Sequence, residues 1–191
     1  MMAETEVSET KILEKSYFAG FGGQGIISLG QIWVYCAMKE GRNVSFFPFY
    51  GAEKRGGIAR ASVIVSDEEI DSPLVTTPDS VLVMNLDSLS LCEGILKEGG
   101  LMLINSTLVK EEPGRKDIRI YKVEASGLAE KIGHVRYANM VAMGAMARLT
   151  GALRLVEVEA ILNDFFPEDK RKFVPMNVEA IRAGYDAVTP F

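Results

Sequence analysis

The stretch Gly20-Phe21-Gly22-Gly23-Gln24-Gly25 constrains this chain more than any other. It follows the apolar run Tyr17-Phe18-Ala19 and precedes Ile26-Ile27-Ser28-Leu29-Gly30-Gln31-Ile32-Trp33. That order predicts a strand, a glycine turn and a helix. The glycines let the backbone take positive φ and approach a ligand, and the helix offers unpaired N–H groups at its positive dipole end. Two readings follow: a seat for a phosphate or another anion, or glycine used only to pack helix on strand. The spacing of Gly20, Gly22 and Gly25 satisfies G-x-G-x-x-G and allows both. A dinucleotide site also wants an acidic residue about 20 positions on, at the end of the second strand. The second apolar run, Asn43-Val44-Ser45-Phe46-Phe47-Pro48-Phe49-Tyr50, contains none, and the next carboxylate, Glu53, belongs to another glycine-rich segment. A nicotinamide or flavin dinucleotide is therefore disfavoured, and a phosphorylated ligand or a partner's backbone stays open.

With 191 residues, 48% apolar and 25% charged, the chain suffices for one well-buried domain and is short for two. A net charge of −5 without a basic run, and without interleaved arginines and aromatics, argues against a nucleic-acid surface. No apolar stretch approaches the roughly 18 residues that span a bilayer, and residues 1–14 hold no signal-peptide core, so no membrane and a cytoplasmic setting are expected. Cys36 and Cys92 stand alone in helix-like runs and the only histidine is His134. No Cys/His cluster is available for zinc or iron–sulfur, so no metal ligand is expected here. P-loop, nucleophile-elbow and cysteine–histidine signatures are also missing, which makes the chain read as half of a site.

Along the chain, Glu4, Glu6, Glu9 and Glu14 among small polar residues predict a flexible leader over 1–14, ahead of a single domain over 15–191. The first helix runs from Ile26 to a C′ glycine at Gly41. The strand at 43–50 is bent near Pro48. Tyr50-Gly51-Ala52-Glu53-Lys54-Arg55-Gly56-Gly57 then reads either as a solvated connection, a hairpin or long turn, or as a clamp in which Arg55 donates to an anion and Glu53 holds it in place. Ile58–Ser66 resumes strand character. Val81-Leu82-Val83-Met84-Asn85 and Leu101-Met102-Leu103-Ile104-Asn105 read as buried parallel strands ending in asparagine. If they run parallel to the first strand, Gly20–Gly25, Asn85 and Asn105-Ser106-Thr107 share the carboxyl edge of one sheet, where open α/β sheets bind ligands. The plain alternative is that the asparagines start turns.

Residues 118–123 add another strand. Helical spacing covers Asp87–Lys97, Ala125–Ile132, Asn139–Leu149, Leu155–Phe166 and Asn177–Val188. Met140, Met143 and Met146 read as core, Asn139 as a residue at the helix start whose plain role is capping, and His134 has no evident partner. The expected fold is α/β, a single Rossmann-like domain with a mainly parallel, mixed sheet flanked by helices. The pattern does not give the strand order.

Taken together, Phe18-Ala19-Gly20-Phe21-Gly22-Gly23-Gln24-Gly25, Tyr50-Gly51-Ala52-Glu53-Lys54-Arg55-Gly56-Gly57, Val83-Met84-Asn85 and Asn139-Met140-Val141-Ala142-Met143-Gly144-Ala145 resemble the gamma subunit of 2-oxoacid:ferredoxin oxidoreductases. The likeness runs from about Tyr17 to Tyr185. It implies a multisubunit enzyme that oxidatively decarboxylates a 2-oxoacid to an acyl-CoA and passes electrons to ferredoxin. Thiamine diphosphate with magnesium would sit on alpha and beta partners, and iron–sulfur clusters on a ferredoxin-like delta partner or on beta. The gamma part would serve assembly and the coenzyme A half of the reaction, with no cofactor held firmly by this chain alone. Gly20, Gly22, Gly23, Gln24, Gly25, Tyr50, Glu53, Arg55, Gly56, Gly57, Asn85 and Asn139 become the candidate contacts. The Arg-Gly-Gly ending resembles 2-oxoglutarate and branched-chain members. Ala52, where proline is frequent, and Ile58-Ala59-Arg60-Ala61, where a Thr-Ala-Asn-Cys run is often seen, depart from the pattern and leave other 2-oxoacids open. A stand-alone nucleotide-binding reductase and a purely structural subunit are the competing readings.

Overall fold

The computed structural model describes residues 11–49 and 57–188. Uncharged runs of aromatic and branched residues build the strands that are buried on both faces. β1 (Leu13–Phe21) lies parallel to β4 (Ser80–Val83), β4 to β5 (Leu101–Asn105), and β5 to β6 (Arg119–Val123). β3 (Ile58–Ser66) runs antiparallel to β1, with Phe21 opposite Ile58 and Leu13 opposite Ser66. β2 (Asn43–Phe49) runs antiparallel to β3, with Phe49 opposite Arg60. The sheet has six strands in the order β2-β3-β1-β4-β5-β6. Pro48 therefore sits on an edge strand, where a missing N–H is tolerated.

Alternation along the strands divides the core. Phe18, Leu82, Leu103, Tyr121, Val63 and Val65 face the side packed by α1 (Ile26–Lys39), α3 (Ala125–Ile132), α4 (Ala138–Thr150), α5 (Val158–Phe165) and α6 (Val174–Asp186). Trp33 of α1 is fully buried and meets the Phe18 ring edge-on, with centroids 5.4 Å apart. Tyr17, Ala19, Val81, Val83, Met102 and Ile104 face the other side, where α2 (Leu89–Ile95) supplies Leu89 and Cys92. Met140, Met143 and Met146 are buried, as expected of core. Helices α4 and α6 touch backbone to backbone: a Cβ on Gly144 would lie 1.8 Å from the Ile181 carbonyl oxygen, and one on Gly184 would lie 1.8 Å from that of Val141. On β1, the Glu14 carboxylate accepts from the Ser80 hydroxyl (2.6 Å) and the Ser16 hydroxyl (3.2 Å).

α1 closes as its sequence predicts. Gly41 takes φ 83°, its N–H donates to the Met38 carbonyl, and the Arg42 N–H donates to that of Ala37. This is the glycine-terminated Schellman arrangement. Other boundaries move. β1 begins at Leu13, so Leu13 and Glu14 belong to the strand and not to the leader. The 87–97 helix is a 3-10 turn at Leu86–Ser88 followed by the seven residues of α2. α5 starts at Val158 because Leu155 and Glu157 both take φ 55°, and the Glu40 carboxylate accepts the N–H groups of Arg154 and Leu155. That grip holds the segment out of the helix. α6 starts at Val174, taking Pro175 into its first turn, where the missing N–H costs nothing.

Candidate functional site at the carboxyl edge of the sheet

β1 ends at Phe21, Gly23 and Gly25 take φ 99° and 73°, and α1 starts at Ile26. Gln24 folds back over the turn. Its Oε1 accepts the Phe21 N–H (2.7 Å) and its Nε2 donates to the Met84 carbonyl (3.2 Å), fastening the turn to the end of β4. Both amide atoms of this candidate contact thus serve the turn itself. Gly20 is required by packing, since a Cβ there would meet Gln24 Oε1 at 2.7 Å and Met84 Cβ at 2.9 Å. A Cβ on Gly23 would meet nothing within 4 Å. The open side of the turn is there. No side chain caps α1 and its first turn holds no acidic residue, which leaves the positive end of the helix without a compensating side chain.

Asn139 is not the cap of its helix; Tyr137 occupies that position, without a side-chain bond. The Asn139 amide instead donates to the Gly25 carbonyl (3.2 Å) while its Oδ1 accepts the Met140 N–H (3.0 Å). It joins the start of α4 to the glycine turn. A Cβ on Gly25 would lie 2.5 Å from the Asn139 Nδ2. The second glycine segment reaches the same place. The Gly22 N–H donates to the Gly57 carbonyl (3.1 Å), and Phe49 and Ile58 bring the two ends of the 50–57 connection beside the end of β1. Tyr50, Glu53, Arg55 and Gly56 lie outside the described residues.

The asparagines mark the carboxyl edge as expected, but their chemistry is turned inward. Asn85 is buried and its Oδ1 accepts the Ser88 N–H (3.2 Å) and the Ser88 hydroxyl (2.5 Å); its Nδ2 has no acceptor among the described residues. Asn105 exchanges bonds with Ser126, donating to its hydroxyl (3.0 Å) and accepting its N–H (3.3 Å). These residues fix turns, which is the plain reading of both.

Between the glycine turn and the α3–α4 connection opens a cleft of about 340 Å³, lined by Gly23, Gln24, Met84, Thr107, His134 and Arg136 among others. A shallower hollow of about 250 Å³, next to Ser28 and Asn139, lies on the other side of Arg136 and adds Lys170. Arg136 is the residue that sequence reasoning missed. Its guanidinium stands 5.4 Å from the Phe173 ring centre and 5.6 Å from that of Tyr137, positions that favour a cation, and the Arg136 backbone N–H donates to His134 Nδ1 (3.0 Å). His134 thereby gains the partner its sequence did not reveal. Two larger concavities, about 560 and 550 Å³, share Arg154 and Glu157 and include no residue of the glycine turn. The smaller cleft is the better candidate because the open Gly23 of the turn that leads into α1 and the Arg136 cation both line it.

Burial pushes the thiols of Cys36 and Cys92 up to about 12, so neither is a nucleophile at neutral pH. Among the described residues no three His, Cys, Asp or Glu side chains gather as metal ligands, and no helix is long and apolar enough to cross a membrane. The dinucleotide reading weakens further on topology. The place beside β1 where such a fold puts its second parallel strand, with the ribose-binding carboxylate at the end, is taken by antiparallel β3.

Residues 15–187 match the pyruvate ferredoxin/flavodoxin oxidoreductase family. The chain is 38% identical over 168 residues to the ketoisovalerate oxidoreductase subunit VorA of Methanothermobacter thermautotrophicus, covering 87% of this chain and 34% of that one. It therefore spans about a third of that relative's length. It is 36% identical over 179 residues to the 2-oxoglutarate synthase subunit KorC of Methanothermobacter marburgensis, covering 89% of this chain and 94% of the relative. Among solved structures, the gamma subunit of a keto/oxoacid ferredoxin oxidoreductase from Geobacter sulfurreducens superposes with TM-score 0.78 at 30% identity, covering 91% of this chain and 97% of that one. The 2-oxoglutarate:ferredoxin oxidoreductase of Magnetococcus marinus, solved with 2-oxoglutarate, coenzyme A and succinyl-CoA bound, superposes with TM-score 0.81 at 26% identity over 95% of this chain and 32% of that chain. With the glycine turn, its Gln24 and Asn139 fastenings and the mixed sheet all in place, the chain belongs to the pyruvate ferredoxin/flavodoxin oxidoreductase family, among whose gamma subunits its relatives and structural neighbours are found.

Proposed function

We propose that this chain is the gamma subunit of a multisubunit 2-oxoacid:ferredoxin oxidoreductase and that it holds coenzyme A for acyl transfer. The observation that carries the reading is the glycine turn, open at Gly23, that leads into an α1 without a side-chain cap, with the Arg136 cation lining the same cleft. An uncompensated helix start and a guanidinium are what a phosphate-rich ligand needs. The coenzyme A in the structurally similar Magnetococcus enzyme supports it. The described residues offer no donor set for a metal cluster and no accessible thiol. As the family resemblance implies, thiamine diphosphate and magnesium are assigned to alpha and beta partners and the iron–sulfur clusters to a delta partner or to beta, with ferredoxin as electron acceptor and the cytoplasm as setting. The favoured substrates are 2-oxoglutarate and branched-chain 2-oxoacids, a preference supported by the VorA and KorC relatives.

Replacing Arg136 or Arg55 with alanine in the assembled enzyme is expected to raise the apparent KM for coenzyme A about tenfold, equivalent to ~1.4 kcal/mol, with kcat little changed. An unchanged KM in both variants would remove coenzyme A from this cleft. The preferred 2-oxoacid follows from viologen reduction with each candidate acid.

A further inference from the structure

Two backbone conformations single out the segment between α4 and α5. Among the described residues, Leu155 and Glu157 are the non-glycine residues at positive φ, both at 55°. In that region the Cβ crowds the following carbonyl, so a residue with a side chain enters it only where its surroundings force it. The force here comes from one side chain. The Glu40 carboxylate, at the end of α1 and only 6% exposed, accepts the Arg154 N–H with both oxygens (3.0 Å each) and the Leu155 N–H with one (2.9 Å). Arg42 fixes the chain just before, donating to the Ala152 carbonyl, and α5 fixes it just after from Val158. Between these anchors residues 154–157 form a strap whose tip, Val156, is 62% exposed.

The strap divides a space. The concavities of about 560 and 550 Å³ share Arg154 and Glu157, and their linings include Ile161 on one side and Val158 and Ile181 on the other, all three buried. Lys39 and Glu40 place the first of them at the far end of α1 from the glycine turn, 14 residues or about 21 Å away. Lifting the strap breaks the bonds to Glu40, but the same movement lets Leu155 and Glu157 return to ordinary φ. Strain relieved offsets part of the bonding lost, which brings the two arrangements closer in free energy than the bonds alone would. We propose that residues 154–157 are a two-state strap, closed when Glu40 holds the Arg154 and Leu155 N–H groups, and open when the strap lifts and the two concavities join into one groove floored by Val158, Ile161 and Ile181. The strap touches no residue of the glycine turn, and its opening needs no coenzyme.

Amide hydrogen exchange of the full chain, resolved at residues 154 and 155 by mass spectrometry, tests it. These two amides should exchange at least tenfold faster than the buried amides of β4 and β5, because the strap opens without the sheet. Glu40→Gln removes the charge and one acceptor and should speed them at least a further tenfold. Glu157→Gly relieves the closed state of its strain by more than the freedom that glycine adds to the open one, and should slow them about threefold. Strap amides that exchange only as slowly as β4 and β5, or that ignore either substitution, would overturn the proposal. Should Glu40→Gln fold poorly, Glu157→Gly decides alone. The groove has its own readout: a thiol introduced by Ile161→Cys should react with a maleimide about threefold more slowly when Glu157→Gly is added, and a rate indifferent to that change also overturns the strap.

Discussion

Gly144→Ala puts a single methyl group where α4 and α6 touch. In an isolated helix interior the change would stabilise by about 1 kcal/mol, because alanine loses less backbone entropy than glycine. Here the new Cβ would lie 1.8 Å from the Ile181 carbonyl oxygen and 2.9 Å from the Tyr185 nitrogen. Both neighbours are helix backbone, so no rotamer change relieves the contact and the helices must separate by about 1 Å. A gap of that size forfeits a quarter to a half of the dispersion energy of the pairs it opens. Those pairs include Val141, Ala145, Val178 and Ile181, all buried. Overpacking of this kind costs 1–3 kcal/mol and occasionally more. With both contacts made to helix backbone, the cost here falls at the top of that range or beyond it, about 3–5 kcal/mol, so after the propensity gain of about 1 kcal/mol the net destabilisation is about 2–4 kcal/mol, equivalent to a fall in Tm of about 5–15 °C in a domain of this size. Thermal unfolding followed by circular dichroism at fixed concentration reads it directly. A variant that melts within about 2 °C of the parent, or above it, would falsify the close crossing.

Glu14 gives a pH signature. Burial raises its carboxyl from 4.5 to about 7, against the lowering effect of the Ser80 hydroxyl. The folded state therefore keeps a proton that the unfolded chain gives up, so this group's stabilisation is complete below about 4.5 and disappears as pH rises through 7, a span of about 3 kcal/mol. Glu14→Gln should flatten the change in denaturant midpoint between pH 5 and pH 8 and stabilise the protein most at pH 8; parallel profiles for the two proteins would refute the assignment. Gly25→Ala forces a residue at φ 73° to carry a Cβ and displaces the Asn139 amide. The left-handed conformation alone costs about 1–2 kcal/mol, and a higher KM for coenzyme A should accompany it. Wild-type stability and KM together would mean the turn tolerates a side chain.

The sequence was most informative where glycine, strand and helix alternate closely. The turn at Gly20–Gly25, the C′ glycine at Gly41 and the α3 span Ala125–Ile132 follow from local rules, because backbone conformation there is decided within a few residues. Long-range choices were hidden. Nothing local says that β3 slips between β2 and β1, since an apolar strand reads alike in either direction. The asparagines illustrate the same limit at the site. Asn85 and Asn105 were placed at the right edge, but only the neighbours Ser88 and Ser126 decide that their amides turn inward. Asn139 reads as a helix cap because its partner, the Gly25 carbonyl, is 114 positions away. Arg136 escaped because its setting is made by Phe173 and the glycine turn, neither near it in sequence.

That bond between Asn139 and Gly25 also bears on how the protein is made. The strand, turn and first helix leave the ribosome early, yet the amide that holds the turn emerges 114 residues later. At roughly 5–20 residues per second, the glycine turn waits about 6–23 s for its clamp. β1 meanwhile needs β3 and β4, its two neighbours in the sheet, both made after it. The earliest part of the chain to be synthesised is thus among the last to reach its working shape, and a nascent chain stalled before Asn139 would carry the glycine motif intact while lacking the contact that sets it.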